Sequence, residues 1–394
     1  MKRRTLLKLA PLPLLATAFP ARARTAERKR ARDLGIRIGR LPPGKWNAIT
    51  DVPGVEVGHA TIIHGNGPLK VGEGPVRTGV TAIWPHRGIV REFLPCGVDA
   101  PNGNGELTGI LQANQLGVLN SPLCLTNTSS VGMVYDALQS LQPNDDLAPG
   151  VPVVGETWDA FLNDIEGRHV HAGHVRRALE SAASGPVAEG AVGGGTGMIS
   201  YGFKGGIGTA SRRLDATDGG WTIGALVQAN HGLRPLLRID GVPVGAEIAD
   251  LLPDPYDEVS QFNSILMILA TDAPLLAHQL NRLARRAVHG LARTGSISGN
   301  DSGDFALAFS TSNRIPREQF WRGSGYGLRS VEQFDIGPLL EAAAEAVEEA
   351  VVNALFAGED MIGRDSHVVH GLPVERTLSI LRRHDRLFPV DHGI

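Results

Sequence analysis

Residues 263–276 read NSILMILATDAPLL, and they set the architecture. From Ser264 to Ala270 the run is continuous and apolar after its first residue, the length and character of a buried strand. Thr271 and Asp272 then open a helix, with Pro274 near its first turn and Leu276, Leu280, Leu283, Ala284 and Ala287 on one face. Outward from there, GALVQA at 224–229 and FALAF at 305–309 are further buried strands. Leu340, Ala344, Val347, Val351 and Leu355 mark a long helix ending near Gly358. Upstream, 51–62 reads as a turn entering an alternating strand, 76–84 as a second strand and 151–156 as a short buried one. Helical spacing recurs at 106–116, 131–141 and 171–183, with Thr128, Ser129 and Ser130 as N-cap candidates for the middle segment. Buried strands mixed with amphipathic helices predict mixed α/β layers around a common core, with no internal repeat or clear linker.

The chain has 394 residues, 42% hydrophobic and 20% charged, which excludes a disordered polyelectrolyte and a membrane bundle. Glycine is unusual at 49 residues, where an average chain of this length would carry roughly 7%. Nine of them fall in GAVGGGTGMISYGFKGGIG at 190–208. Met, Ile, Tyr and Phe are too dense there for a flexible linker, so the glycines mark close approach of backbone to backbone or to substrate.

Residues 1–23 combine a basic start, a mostly apolar middle and a small-x-small ending at Ala21-Arg22-Ala23, the layout of a secretory signal. Arg3-Arg4 followed by Thr5, Leu6 and Leu7 resembles a twin-arginine signal, which predicts bacterial export to the periplasm or medium. Removing the five basic residues of this segment takes the formal charge from −3 to −8. That balance gives no footprint for nucleic acid or anionic lipid, and no later segment is long enough to span a membrane. Cys96 and Cys124 could pair once or remain buried thiols.

Several motifs invite chemistry. GRLPPGKW at 39–46 has P-loop spacing, but Trp46 replaces the magnesium-binding hydroxyl and two prolines remove N–H donors. His169, His171 and His174 resemble metal ligands, without the acidic residue that would complete a hydrolase set. Ser264 sits at the head of its strand after Asn263. To act as a nucleophile it needs a base and an oxyanion donor. Ser302 and Asp304, two apart, would face the same way if their strand starts early, and Asn230 ends the run LVQAN with an amide N–H to offer.

The ordered blocks DVPGVEVGHAT, LTNTSSVG, PVVGETWDAFLND, GGGTGM, LVQANHG, NSILMILATDAPLL, GNDSGDFALAFSTSN and GRDSHVV, spanning about residues 45–380, resemble the DmpA-type aminopeptidases. That family includes D-aminopeptidase/D-esterase enzymes and β-peptidyl aminopeptidases. The resemblance implies a single peptidase domain over 24–394 with an αββα four-layer sandwich, layered like the N-terminal-nucleophile hydrolases but connected differently. It implies a homotetramer, no cofactor or metal, and self-cleavage between Asn263 and Ser264 into chains 24–263 and 264–394. It further implies Ser264 as nucleophile, Ser302 and Asp304 as its relay, Asn230 as oxyanion donor, and Glu156 as receiver of the substrate ammonium. Substrates would be short peptides, amides or esters with a free amine. Three positions depart from other members: Trp158 stands where some carry Tyr, Asp304 where others carry Glu, and Asn263 replaces Gly before the cut. Two rival expectations are a metal-dependent hydrolase using the His169–His174 group and a non-catalytic periplasmic binder of amino compounds through Glu156.

Overall fold

A computed structural model describes residues 29–261, 263–323 and 325–389. The export signal expected at 1–23 lies outside the described residues.

Two sheets face one another. The larger runs β13 (Ile315–Pro316), β3 (Glu92–Gly103), β12 (Gly303–Ser310), β11 (Ser264–Thr271), β10 (Thr222–Asn230) and β9 (Gly206–Arg213), with β4 (Val118–Leu119) also paired to β3. The smaller runs β1 (Glu56–His64), β2 (Val76–Trp84), β5 (Leu123–Asn127) and β6 (Val153–Thr157). A short hairpin, β7 (Ile199–Ser200) and β8 (Phe203–Lys204), lies within the glycine-rich segment.

Strand β11 shows why the run SILMILA is apolar throughout. Successive side chains alternate between faces. Ile265, Met267 and Leu269 join the helices Ala277–Arg293 and Gly337–Ala357 in one core. Leu266, Ile268 and Ala270 meet Ile83, Leu123, Leu125 and Val153 of the smaller sheet in a second. On that sheet's outer face Ala60, Val80, Ala82, Cys124 and Val154 pack against the helices Val131–Gln139 and Ala172–Glu180. The result is the expected helix–sheet–sheet–helix sandwich. A strand covered on both faces has no polar face to show, and this erases the period-two signal. Across the middle, the Gln228 amide donates to Thr126 O and Thr157 Oγ1, both at 2.9 Å, tying sheet to sheet.

The glycine-rich segment is threaded into this packing. A Cβ on Gly208 would stand 2.0 Å from the Ala350 carbonyl, so only glycine lets β9 approach the long helix. At Gly193, φ is +51° and a Cβ would lie 2.4 Å from Thr81 Oγ1, so both conformation and space demand glycine.

Three expectations change in detail. The helix after β11 begins at Ala277, not at Thr271-Asp272, because Asp272 Oδ1 accepts the Thr222 N–H at 2.7 Å and is held by the neighbouring strand. The Leu276 N–H at its N-cap is instead satisfied by Gln279 Oε1 at 3.0 Å, with no bond from the Leu276 side chain. The 106–116 helix shortens to Ile110–Leu116, since Leu107 bridges to Gly155. Ser130 occupies the N-cap of Val131–Gln139 without a side-chain bond, and the Thr128 hydroxyl is used elsewhere. Cys96 and Cys124 are separate buried thiols in different cores, and burial pushes both upward in pKa.

The segment from Ala31 to Ile38 carries an unforeseen anchor. Ala31, Ile36 and Ile38 are fully buried in the helix-side core. Arg32 Nε binds Glu349 at 2.8 and 2.9 Å, and Arg212, also buried, bridges Glu345 at 2.8 Å and Glu349 at 2.7 Å.

Candidate active site

Parallel pairing of β11 with β12 sets Ser264 opposite Gly303, between Ser302 and Asp304 in sequence. The Ser264 hydroxyl is buried at the strand's mouth. It donates to the Asn263 carbonyl at 2.5 Å and accepts the Gly303 N–H at 3.2 Å. The same N–H reaches the Asn263 carbonyl at 3.2 Å. A single backbone donor therefore touches both the hydroxyl and the carbonyl before it.

Ser302 Oγ donates to Asp304 Oδ1 at 2.5 Å, so these two do face the same way. Burial pushes the Asp304 carboxyl above its usual range. Ser302 precedes β12 and Asp304 follows Gly303. By alternation Asp304 lies on the helix side with Ala306, while Ser264 shares the inter-sheet side with Leu266. The pair is adjacent to Ser264 across one strand spacing, and the direct polar contact of Ser264 on that strand is Gly303.

Asn230 ends β10 and is the cross-strand partner of Ser264, so the two side chains project from the same face. Its Oδ1 accepts the Ile199 N–H at 2.8 Å. With the oxygen so engaged, the side chain turns its N–H₂ end elsewhere, and the amide orientation is defined.

Glu156 on β6 accepts the Glu106 N–H through Oε1 at 3.0 Å and the Thr128 hydroxyl through Oε2. Burial pushes this carboxyl upward, and the bonds from Thr128 and Glu106 pull against it. Gly105 spaces it from the Ser264 strand pair. A Cβ there would be 2.9 Å from Glu156 Oε1 and 3.3 Å from Gly303 Cα. Trp158, two residues on, is partly buried and packs on the cluster containing Phe161, Leu162 and Ile199. A cavity of about 130 Å³ opens beside Asn263 and Ser302, bounded also by Gly232, Leu233, Ser296 and Ile297. A larger cleft of about 730 Å³ lies between residues 29–47 and 186–192 and shares no lining residue with this site.

The histidines do not converge. His169 Nε2 pairs with Asp164 at 2.8 Å, while His174 Nδ1 accepts the His171 N–H and caps the start of the Ala172–Glu180 helix. Among the described residues no group of three His, Cys, Asp or Glu side chains is arranged to hold a metal. Sequence reasoning missed Gly303, Gly105 and the Thr128–Glu156 bond. Gly105 and Gly303 act through backbone and absence of bulk, and Thr128 read as a helix cap.

Residues 47–369 match Peptidase family S58. A β-peptidyl aminopeptidase BapA of Sphingosinicella microcystinivorans is 43% identical over 388 residues, 95% of this chain and 97% of that protein. The structure of a Burkholderia sp. β-aminopeptidase is 50% identical with TM-score 0.83, covering 90% of this chain and 99% of that one. The L-aminopeptidase D-Ala-esterase/amidase of Ochrobactrum anthropi, described as a serine aminopeptidase and a new variant among the Ntn hydrolase fold, is 46% identical. It has TM-score 0.83 and covers 91% of this chain and 99% of that one. With a matched region covering most of the chain, near-full-length relatives and a shared four-layer fold, this protein belongs to peptidase family S58, the DmpA-type aminopeptidases.

Proposed function

We propose that the chain is a self-processing serine aminopeptidase that releases N-terminal residues from short peptides, amides or esters through an acyl-enzyme on Ser264. The observation that carries this reading is the placement of Ser264 at the head of a buried strand, with Asn230 directly across and the Asn263 carbonyl at its hydroxyl.

In maturation, Ser264 Oγ attacks the Asn263 carbonyl carbon. The C–N bond breaks, leaving an ester and a free α-amine, and water hydrolyses the ester. That amine has a reference pKa of about 7.7–8.0, so near neutral pH part of it is unprotonated and serves as the base. In turnover, Oγ attacks the substrate carbonyl as its proton passes to the α-amine, and Asn230 donates to the developing oxyanion. The departing amine takes the proton and water releases the acyl group. Ser302 and Asp304 brace the strand end beside Ser264 through their mutual hydrogen bond. Glu156, already hydrogen-bonded and buried, receives the substrate ammonium by a charge-assisted bond, which selects free N-termini. In this reading Trp158 borders the substrate without supplying a hydroxyl.

Intact mass of purified protein tests maturation: two chains, the smaller beginning at Ser264, are expected. A single full-length chain with full activity would remove the maturation step, and undiminished hydrolysis by Ser264→Ala would remove the mechanism. Export through residues 1–23 and assembly as a homotetramer belong to the same proposal. Cell fractionation and light scattering test them, with cytoplasmic retention or a monomer counting against each.

A further inference from the structure

Lys204 is fully buried, yet its ammonium reaches only backbone carbonyls: Met198 at 2.7 Å, Gly205 at 2.8 Å and Gly195 at 3.2 Å. Among the described residues it forms no ion pair. Burial lowers its pKa to about 7, opposed by the more distant Asp159. Burying an amine this way is expensive unless the geometry gains from it. The hairpin register shows what is gained. Lys204 lies directly across from Ile199, and the Ile199 N–H is the donor to Asn230 Oδ1.

The Met198 carbonyl and the Ile199 N–H are the two ends of one peptide unit. In a trans peptide they point in opposite directions. One line of contacts therefore runs from Lys204 Nζ through the Met198–Ile199 peptide to Asn230 Oδ1. An amine N–H donated to the carbonyl oxygen, most strongly when the amine is protonated, polarises the peptide and makes its N–H a stronger donor. A stronger donor on Oδ1 in turn polarises the side-chain amide and makes its N–H₂ end a better donor. We propose that Lys204 is a positioning residue for the reaction: through the Met198–Ile199 peptide it fixes the orientation of the Asn230 amide and strengthens its donation to the oxyanion. This rests on the reading of Asn230 as oxyanion donor. It also gives the glycine-rich segment a task beyond packing, because three of its carbonyls converge on one buried amine.

The experiment is a double-mutant cycle on the purified enzyme with an aminoacyl p-nitroanilide, rates normalised to the cleaved fraction and folding checked by thermal melting. Lys204→Met should lower kcat about tenfold with KM nearly unchanged, short of the roughly 10²–10³-fold cost of losing an oxyanion donor outright. In an Asn230→Ala background the same substitution should cost nothing further. Should Lys204→Met not fold, Lys204→Gln, which keeps a polar donor without the charge, carries the same comparison. A loss of equal size in both backgrounds, or a rise in KM at constant kcat, would overturn the role of Lys204 while leaving the Asn230 reading intact. If Asn230→Ala alone leaves kcat unaltered, the donor reading falls and this inference falls with it.

Discussion

Two regions of the molecule bury charge, and they do so oppositely. Beneath the long helix, Arg212 and Arg32 meet Glu345 and Glu349 in short, matched contacts. Burial alone would raise the Glu349 carboxyl, but Arg212 and Arg32 hold it below its usual range. At the mouth of β11 the charges are kept apart. Glu156 and Asp304 are buried with hydroxyl and backbone donors and are pushed upward, and Lys204 has only carbonyls and is pushed downward. Matched pairs hold their geometry and leave little electrostatic freedom. Groups without a full counter-charge are held in place by dipoles and remain able to respond to charge that arrives or develops.

The contrast can be broken or sharpened by experiment. Ser264→Ala should abolish processing and turnover, with hydrolysis lower by at least about 10⁴-fold; a two-chain pattern by mass spectrometry would contradict it. Arg212→Met should destabilise by about 3–5 kcal/mol in denaturant titration, because two buried carboxylates lose their shared partner. Activity per folded molecule should persist, and a collapse in kcat without loss of stability would blur the two regions into one. Asn230→Ala should lower kcat by roughly 10²–10³-fold at similar KM, measured with the same p-nitroanilide.

The acid limb separates the regions further. Glu156 must be ionised to attract an ammonium, and its pKa is raised, so kcat/KM should fall on acidification at a higher pH than an ordinary carboxylate would set. Glu156→Gln should flatten that limb and raise KM for free amines; an unchanged limb would remove Glu156 from substrate binding. Glu349 has the opposite sign. Its pKa is depressed in the fold, so its stabilisation is present above the unfolded value of about 4.3 and is lost as pH falls through the folded value. Acid unfolding followed by circular dichroism should therefore begin below the pH at which activity declines. Smallest of all, reductant should leave the melting temperature unchanged, since Cys96 and Cys124 lie in different cores.

Much of the site was legible because its signals are local. Ser264 heads an apolar strand, and Ser302 and Asp304 share a face by being two apart. Asn230 ends the strand that pairs in register with β11. Where reading failed, a distant partner had taken the side chain. Asp272 reads as a helix cap until Thr222 claims it, and Thr128 reads as another until Glu156 does. Lys204 and Arg32 gave no motif at all. Their partners are backbone carbonyls made to converge by a hairpin, and a glutamate more than three hundred residues away.

By itself the sequence determined the elements: apolar runs too short for anything but buried strands, amphipathic helices between them, and a serine at the one strand head that also carries the family's pattern. It determined them because periodicity and hydrophobic burial are properties of neighbouring residues. The tertiary structure alone decided which polar groups would meet. It set Gly303 against the Ser264 hydroxyl, matched Glu349 with Arg212, and stretched one peptide between Lys204 and Asn230. Such contacts depend on strand register and close backbone approach, and those emerge only when segments far apart in the chain are packed together.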